Sequence, residues 1–174
     1  MKDHRGLFVL LILAVGVSVV PAWAVQIKDD PGGFNGHAWR APLSQYPSLK
    51  LVRDMGSTDF VANVGLYEKP GEALTLNDVT LGKIQYRFVD NQLESIQLRY
   101  EGRASRDKLM RWIEERYGKL SLHERKMVNS VQWFGDQTTV TLSYDAVQQR
   151  GTLWFISRFL NNKYNEFHQA TQGD

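Results

Sequence analysis

The 174-residue sequence contains no cysteine. Disulfides, cysteine-ligated metal sites and lipidation at a cysteine are therefore excluded, although this absence leaves the redox compartment open. The sequence also lacks an excess of one charge, since 21 lysines and arginines stand against 19 aspartates and glutamates. General nucleic-acid binders normally show a strong basic excess, so we expect no nucleic-acid partner.

Long apolar runs are confined to the N-terminus. Residues 7–20 form an apolar run of 14 residues, which is short for a membrane span of roughly 20. The run follows Lys2 and Arg5 and precedes the small-residue cleavage pattern at residues 22–24. These features predict a secretory signal peptide over residues 1–24, with an uncleaved anchor as the less favoured alternative. The predicted location is the periplasm, extracellular release is the second choice, and we expect no further membrane-spanning segment.

The usual catalytic and metal-binding spacings are missing too. His-Glu-x-x-His, Gly-x-Ser-x-Gly and the Gly-Lys-Ser/Thr ending of a phosphate loop do not occur, so we expect no cofactor and no metal. Among the histidines, His37 is the one to test for ligand binding, because it lies beside Trp39. Carboxylates that folding brings together remain an open possibility, with Asp54, Asp59 and Asp136 as the candidates for a hydrolase.

A hairpin followed by a helix is the clearest pattern that is present. Residues 84–88 and 96–100 alternate apolar and polar side chains, with the apolar set at even numbers. Opposed residues share a face, so this parity predicts an odd loop of three residues with Asn91 in the left-handed conformation. Ser105 is the expected cap of a helix that ends at Gly118, presents an apolar arc to the hairpin and leaves Glu114 in solvent.

The remaining alternating segments predict an α+β fold, a largely antiparallel sheet of about seven strands packed against one main amphipathic helix. The apolar residues change parity across the turn near Gly135, which predicts an even loop there. Residues 152–156 are apolar on both faces, as in a strand that is covered on both sides or lies centrally in the sheet. We divide the chain after the signal peptide into three parts: a flexible lead-in over residues 25–35, a single domain over 36–160 and a polar tail over 161–174.

Three arginines are candidate ligand-binding residues together with His37 and Trp39. Arg87 and Arg99 share the polar face of the hairpin, where they form either a modest basic patch or an ordinary solvated surface. Arg116 falls within the apolar arc of the helix. It can offer its planar fork to an anion, or it can lay its stem over the sheet with its charge near the helix C-terminus.

Aromatic and glycine motifs recur along the chain. They are Phe34-x-Gly36-x-x-Trp39, Tyr67 before Gly71, Leu74-x-Leu76-x-Asp78, Ile84-x-Tyr86-x-Phe88, Tyr117-Gly118, Trp133-Phe134-Gly135-Asp136 and Leu153-x-Phe155. In these motifs the chain resembles, over roughly residues 34–159, a group of small secreted bacterial proteins without assigned function. Arg40 and Asn91 depart from the group's pattern, because both stand where it usually has glycine. The resemblance implies a shared fold and no activity.

These observations predict a non-catalytic binding or accessory module of the cell envelope. Its expected partner is another envelope protein or an anionic envelope component, and the oligomeric state is left open. A carboxylate-dependent hydrolase is the second candidate function, and a carrier of a small apolar ligand is the third.

Overall fold

The computed structural model describes residues 24–56, 63–122, 124–126 and 129–161. The predicted signal peptide up to residue 23, the candidate Asp59 and the polar tail beyond residue 161 lie outside these residues. No helix among the described residues is both long enough and apolar enough to cross a membrane.

Eleven strands, one main α-helix and a helical segment over residues 158–161 make up the described fold. In chain order the strands and the main helix are β1 (Ala24–Gln26), β2 (Gly33–Phe34), β3 (His37–Ala38), β4 (Lys50–Asp54), β5 (Val64–Glu68), β6 (Thr75–Leu76), β7 (Val79–Val89), β8 (Gln92–Glu101), α1 (Arg103–Tyr117), β9 (Ser130–Phe134), β10 (Thr138–Asp145) and β11 (Arg150–Ser157). Short 3-10 turns lie at Leu43–Gln45 and Glu124–Lys126.

Nine of these strands form one mixed sheet in the order β1-β9-β10-β11-β8-β7-β5-β4, with β6 paired to β7. The pair of β1 and β9 is parallel, and the other described pairs are antiparallel. The α+β class and the single main helix are confirmed, but the prediction of about seven largely antiparallel strands is too simple. A strand of three residues such as β1 is too short for a two-residue periodicity to show, and its parallel partner is distant in sequence.

The β7–β8 hairpin confirms the predicted faces and corrects the predicted loop. Tyr86 lies opposite Ile96, so the even-numbered side chains share a face. The turn, however, contains two residues, Asp90 and Asn91, with φ of 50° and 60°. The register shifts at Glu94, a β-bulge that supplies the extra residue. Parity thus predicts the strand faces correctly and the loop length wrongly, because it cannot distinguish a loop residue from a bulge residue.

Replacing Asn91 should reveal how much the left-handed turn conformation affects the free energy of unfolding. Because a two-residue turn with positive φ at both positions favours Asn and Gly, we expect Asn91→Gly to match or exceed the wild-type stability. Asn91→Ala is expected to lose roughly 1 kcal/mol, since alanine lacks the short polar side chain whose local hydrogen bonds let asparagine tolerate the left-handed conformation. Urea unfolding of the three proteins measures both effects, and an Asn91→Ala protein as stable as Asn91→Gly would contradict the assignment.

The later hairpin and the central strand follow the prediction. Trp133 lies opposite Val140, and four residues separate the paired Phe134 and Thr139, so this loop is even. Strand β11 lies between β8 and β10 in the sheet. Its Phe155 is fully buried on the face that α1 covers, with the Trp112 ring 6.4 Å away.

Helix α1 buries the predicted arc but begins earlier than expected. Gly102 is the N-cap, so Ser105 lies within the first turn, while Gly118 ends the helix with φ 120°. Glu114 is buried rather than solvated. Its carboxylate accepts hydrogen bonds from the Leu120 backbone at 3.0 Å and from the Arg125 guanidinium at 2.9 Å, because the chain after the helix folds back over it.

The segment interpreted as a flexible lead-in belongs to the packed domain. Strand β1 pairs with β9, and Ile27 is buried in the core. The Phe34 ring stacks on Phe155 with centroids 3.9 Å apart. Glycine and aspartate signalled a linker here, but the apolar residues beside them anchor the segment to the sheet.

Candidate functional site

The structure distributes the five candidate residues over three places. Arg87 and Arg99 lie on the sheet face that α1 does not cover, His37 and Arg116 line one groove on the helix side, and Trp39 is buried near the β9–β10 turn. Each place has its own chemistry.

Arg87 is committed to a buried ion pair. Its Nη1 lies 3.2 Å from a carboxylate oxygen of Glu94, whose side chain is only 1% exposed. Burial raises the pKa of Glu94, and the charge of Arg87 opposes that rise. The bulge places this carboxylate beside the arginine. The sequence-based interpretation of Arg87 as a free cation on a wet surface is therefore wrong, because its charge is balanced within the fold.

The neighbours of Arg99 in the predicted basic patch are neutralised, because Lys83 and Arg87 each pair with a carboxylate. Lys83 pairs with Glu68 at 3.0 Å, and Gln85, which is buried, donates a hydrogen bond to the same carboxylate at 2.9 Å. Arg99 is exposed and lines an open groove of about 870 Å³ beside Thr152 and the β10–β11 turn. The described part of this face is largely charge-balanced, and Arg150, which is 70% exposed and lies 3.7 Å from Glu101, lines the same groove as Arg99.

His37 lies at the end of a short hairpin that the sequence-based prediction missed. Asn35 and Gly36 form its two-residue turn with φ of 50° and 81°, and Asn-Gly is a strong signal for such a turn. The His37 ring contacts Tyr46 at 5.1 Å and Tyr86 at 5.4 Å between centroids. Burial lowers the pKa of His37, although Glu72 opposes this, so the imidazole is neutral at pH 7.

A groove of about 710 Å³, which we call the helix groove, runs between the β2–β3 hairpin and the C-terminal half of α1. Its walls are the glycine-rich residues 31–38, Leu76, Asn77, Trp112, Arg116 and Tyr117. The Arg116 guanidinium lies 4.3 Å from the Trp112 ring centroid, and Nη1 donates a long 3.5 Å hydrogen bond to the Trp112 carbonyl. Arg116 is thus exposed and stacked, and it is Glu114 that points inward on this helix.

Trp39 takes part in a polar network, and it also lines a groove beside the β9–β10 turn. Its Nε1 donates to Thr138 Oγ1 at 2.8 Å, and that hydroxyl donates to Asp30 at 2.5 Å. Asp30 also accepts backbone hydrogen bonds from Gly32, Gln137 and Thr138 at 2.6 to 3.0 Å. We call these residues the Asp30 network. It connects the N-terminal segment to the β9–β10 turn.

The sequence gives no sign of the Asp30 network, because the glycine-rich pattern around Asp30 predicts a linker. Partial burial raises the pKa of Asp30, but the hydrogen bonds from Thr138, Gly32 and Gln137 outweigh burial and hold the pKa below its ordinary value. A Cβ at Gly135 would collide with the Asp30 carboxylate. Trp39 and Gly135, two residues of the recurring motifs, are therefore explained by packing.

Two of the three candidate catalytic carboxylates are described, and they do not meet in one cleft. Asp54 ends β4 and accepts a hydrogen bond from the Gly56 backbone at 2.8 Å, as turn aspartates commonly do. Asp136 lies in the β9–β10 turn. Five strand spacings, on the order of 24 Å along the sheet, separate β4 from β10, against the roughly 5 to 10 Å of paired-carboxylate glycosidases.

Neither an apolar cargo nor a metal ion gains specific support from the geometry. The rings of Phe34, Trp112, Tyr117 and Phe155 pack together between α1 and the sheet, where an apolar cargo would have to lie. Within residues 24–56, 63–122, 124–126 and 129–161, no group of three or more His, Asp or Glu side chains could hold a metal ion.

No family model matches the chain, and neither a curated protein nor a solved structure matches it. The candidate site therefore rests on its own geometry.

Proposed function

We propose that the chain is a non-catalytic binding module of the bacterial cell envelope and that the helix groove is its ligand site. The carrying observation is that this groove collects His37 and Arg116, which are distant in sequence, around the aromatic residues Phe34, Trp112 and Tyr117. The envelope location rests on the signal-like pattern of residues 1–24.

The groove favours a ligand with a carboxylate and a compact ring. Arg116 forms no ion pair with a carboxylate in the described part of the chain, and stacking on Trp112 holds its planar fork ready for a bidentate contact. The neutral His37 offers one donor and one acceptor, and Asn35 and Asn77 add amide groups to the walls. Aromatic and apolar walls with a few polar groups are typical of small-ligand sites.

Binding of glucuronate, with glucose as its uncharged counterpart, tests this proposal. We expect saturable chemical-shift changes at residues of the helix groove with glucuronate and much smaller ones with glucose. Arg116→Gln is expected to weaken glucuronate binding roughly tenfold, which corresponds to the binding free energy of one charge-assisted hydrogen bond. Backbone NMR of the labelled protein measures both.

Arg111→Gln is the matched control, because Arg111 is exposed on the same helix and lines neither the helix groove nor the groove beside Arg99. Equal effects of the two substitutions, or glucuronate shifts scattered over the surface, would show that the helix groove is not the site.

A further inference from the structure

A third groove lies where the β9–β10 turn meets the end of β11. It has a volume of about 680 Å³, and its walls include Arg40, Gln92, Gln137, Arg158 and Phe159. We call it the hairpin groove. It shares no lining residue with the helix groove.

Arg40 lines this groove, and its backbone adopts an unfavourable conformation there. Its φ is 65°, a left-handed conformation that disfavours any residue with a Cβ. The Arg40 N–H donates to the Leu93 carbonyl at 3.0 Å, which holds the backbone in place. Its guanidinium lies 4.5 Å from the ring centroid of Phe159, a phenylalanine that is 58% exposed. Residues held in such backbone regions concentrate at functional sites, and Arg40 is therefore a candidate for a functional side chain.

Arg158 brings a second guanidinium to the same groove. Its Nη1 donates to the Gly135 carbonyl at 2.6 Å, and its backbone N–H donates to the Gln137 carbonyl at 2.9 Å. The first bond holds the guanidinium at the turn and the second holds the backbone there, and a guanidinium has four further N–H donors beside the one that this bond uses.

The charges of these two arginines are not balanced by the fold. Among the described residues, Lys83, Arg87, Arg106, Arg125 and Arg150 each pair with a carboxylate. Neither Arg40 nor Arg158 does so in that part of the chain, and the lining residue Asp136 lies beyond ion-pair distance of both. Two fixed guanidiniums at one concave surface favour an anion there.

We propose that the hairpin groove binds an oxyanion group, a phosphate or carboxylate carried by a small ligand, through Arg40 and Arg158. The stacked Arg40 presents its fork from the Phe159 side, Arg158 presents N–H groups from the turn side, and the Gln92 and Gln137 amides add donors. This site is independent of the helix groove and its ligand.

Titration of the protein with inorganic phosphate, and separately with acetate, at constant ionic strength tests the site. We expect saturable shifts of the Gly135 and Gln137 backbone amides and of the Arg40 and Arg158 side-chain N–H groups. The tighter of the two anions identifies the oxyanion class. Arg40→Gly should weaken binding roughly tenfold or more, because it removes one charged fork.

The same variant separates binding from folding. Glycine adopts positive φ without strain, so Arg40→Gly is expected to unfold at a urea concentration no lower than the wild type does. Arg40→Lys keeps a positive charge without the planar fork and should bind with intermediate affinity. Arg111→Gln, outside the groove, should bind like the wild type.

Three results would overturn the proposal. The first is the absence of saturable shifts with either anion, and the second is unchanged binding by Arg40→Gly. The third is a loss of binding by Arg111→Gln as large as that by Arg40→Gly, which would indicate only general attraction to a basic surface.

Discussion

Replacing Arg87 with methionine is expected to lower the free energy of unfolding by about 3 to 5 kcal/mol. The substitution keeps most of the side-chain volume and removes the charge 3.2 Å from the Glu94 carboxylate, which is 1% exposed. An uncompensated carboxylate then remains buried, or it takes up a proton to fold. Urea unfolding at pH 7 measures the loss.

Removing both charges should restore most of that stability. In Arg87→Met combined with Glu94→Leu no buried charge remains at this pair, and apolar replacements of buried pairs are often nearly neutral. A double variant as unstable as Arg87→Met would show that the loss does not come from the ion pair.

The pH dependence of Arg87→Met follows from the direction of the Glu94 pKa shift. Burial already raises this pKa, and loss of the opposing arginine charge raises it further. A group with a raised folded-state pKa contributes stability below its unfolded pKa, and this contribution is lost as pH rises through the folded pKa. We therefore expect the free energy of unfolding of Arg87→Met to be closer to that of the wild type at about pH 4 than at about pH 8.

Asp30→Ala is expected to lower the free energy of unfolding by about 3 kcal/mol. The substitution removes the acceptor of four hydrogen bonds, from the Gly32, Gln137 and Thr138 backbones and from the Thr138 hydroxyl. It also leaves the Trp39–Thr138 pair without its terminal acceptor. Urea unfolding measures the loss, and Asp29→Ala is the control, because Asp29 is the exposed neighbour.

The effect of Asp30→Ala should shrink in acid. The folded-state pKa of Asp30 is lowered by its hydrogen bonds, so its contribution is present above the unfolded pKa and is lost as pH falls through the folded value. The difference in the free energy of unfolding between Asp30→Ala and the wild type should thus be larger at about pH 7 than at about pH 3. Equal losses for Asp29→Ala and Asp30→Ala would contradict this role.

Both experiments separate structural residues from binding residues. Arg87 and Trp39 were candidate ligand-binding residues on the sequence, and the fold accounts for both through Glu94 and the Asp30 network. Arg116, Arg40 and Arg158 line grooves without a carboxylate partner in the described part of the chain. A binding module is therefore best tested at these three arginines.

Single residues of the candidate site could be predicted from the sequence, but their position in one common groove could not. His37 and Arg116 were each recognisable, one from its position beside Trp39 and the other from its helical angle. Their meeting in one groove depends on how the β2–β3 hairpin packs beside α1. No local pattern encodes that packing, and the Asn35-Gly36 turn was the one local signal that could have indicated it.

Local periodicity was enough to determine the buried faces of β7, β8 and α1, the even loop at Gly135 and the central place of β11, because each depends on neighbours in sequence. Tertiary structure alone decided the parallel pairing of β1, the bulge at Glu94, the burial of Glu114 and the partner of Asp30. In each of these the partner comes from another part of the chain, and a carboxylate's environment is set by the donors that folding brings to it. The charge on Arg87 was visible in the sequence, whereas its neutralisation depended on one inserted residue in the opposing strand.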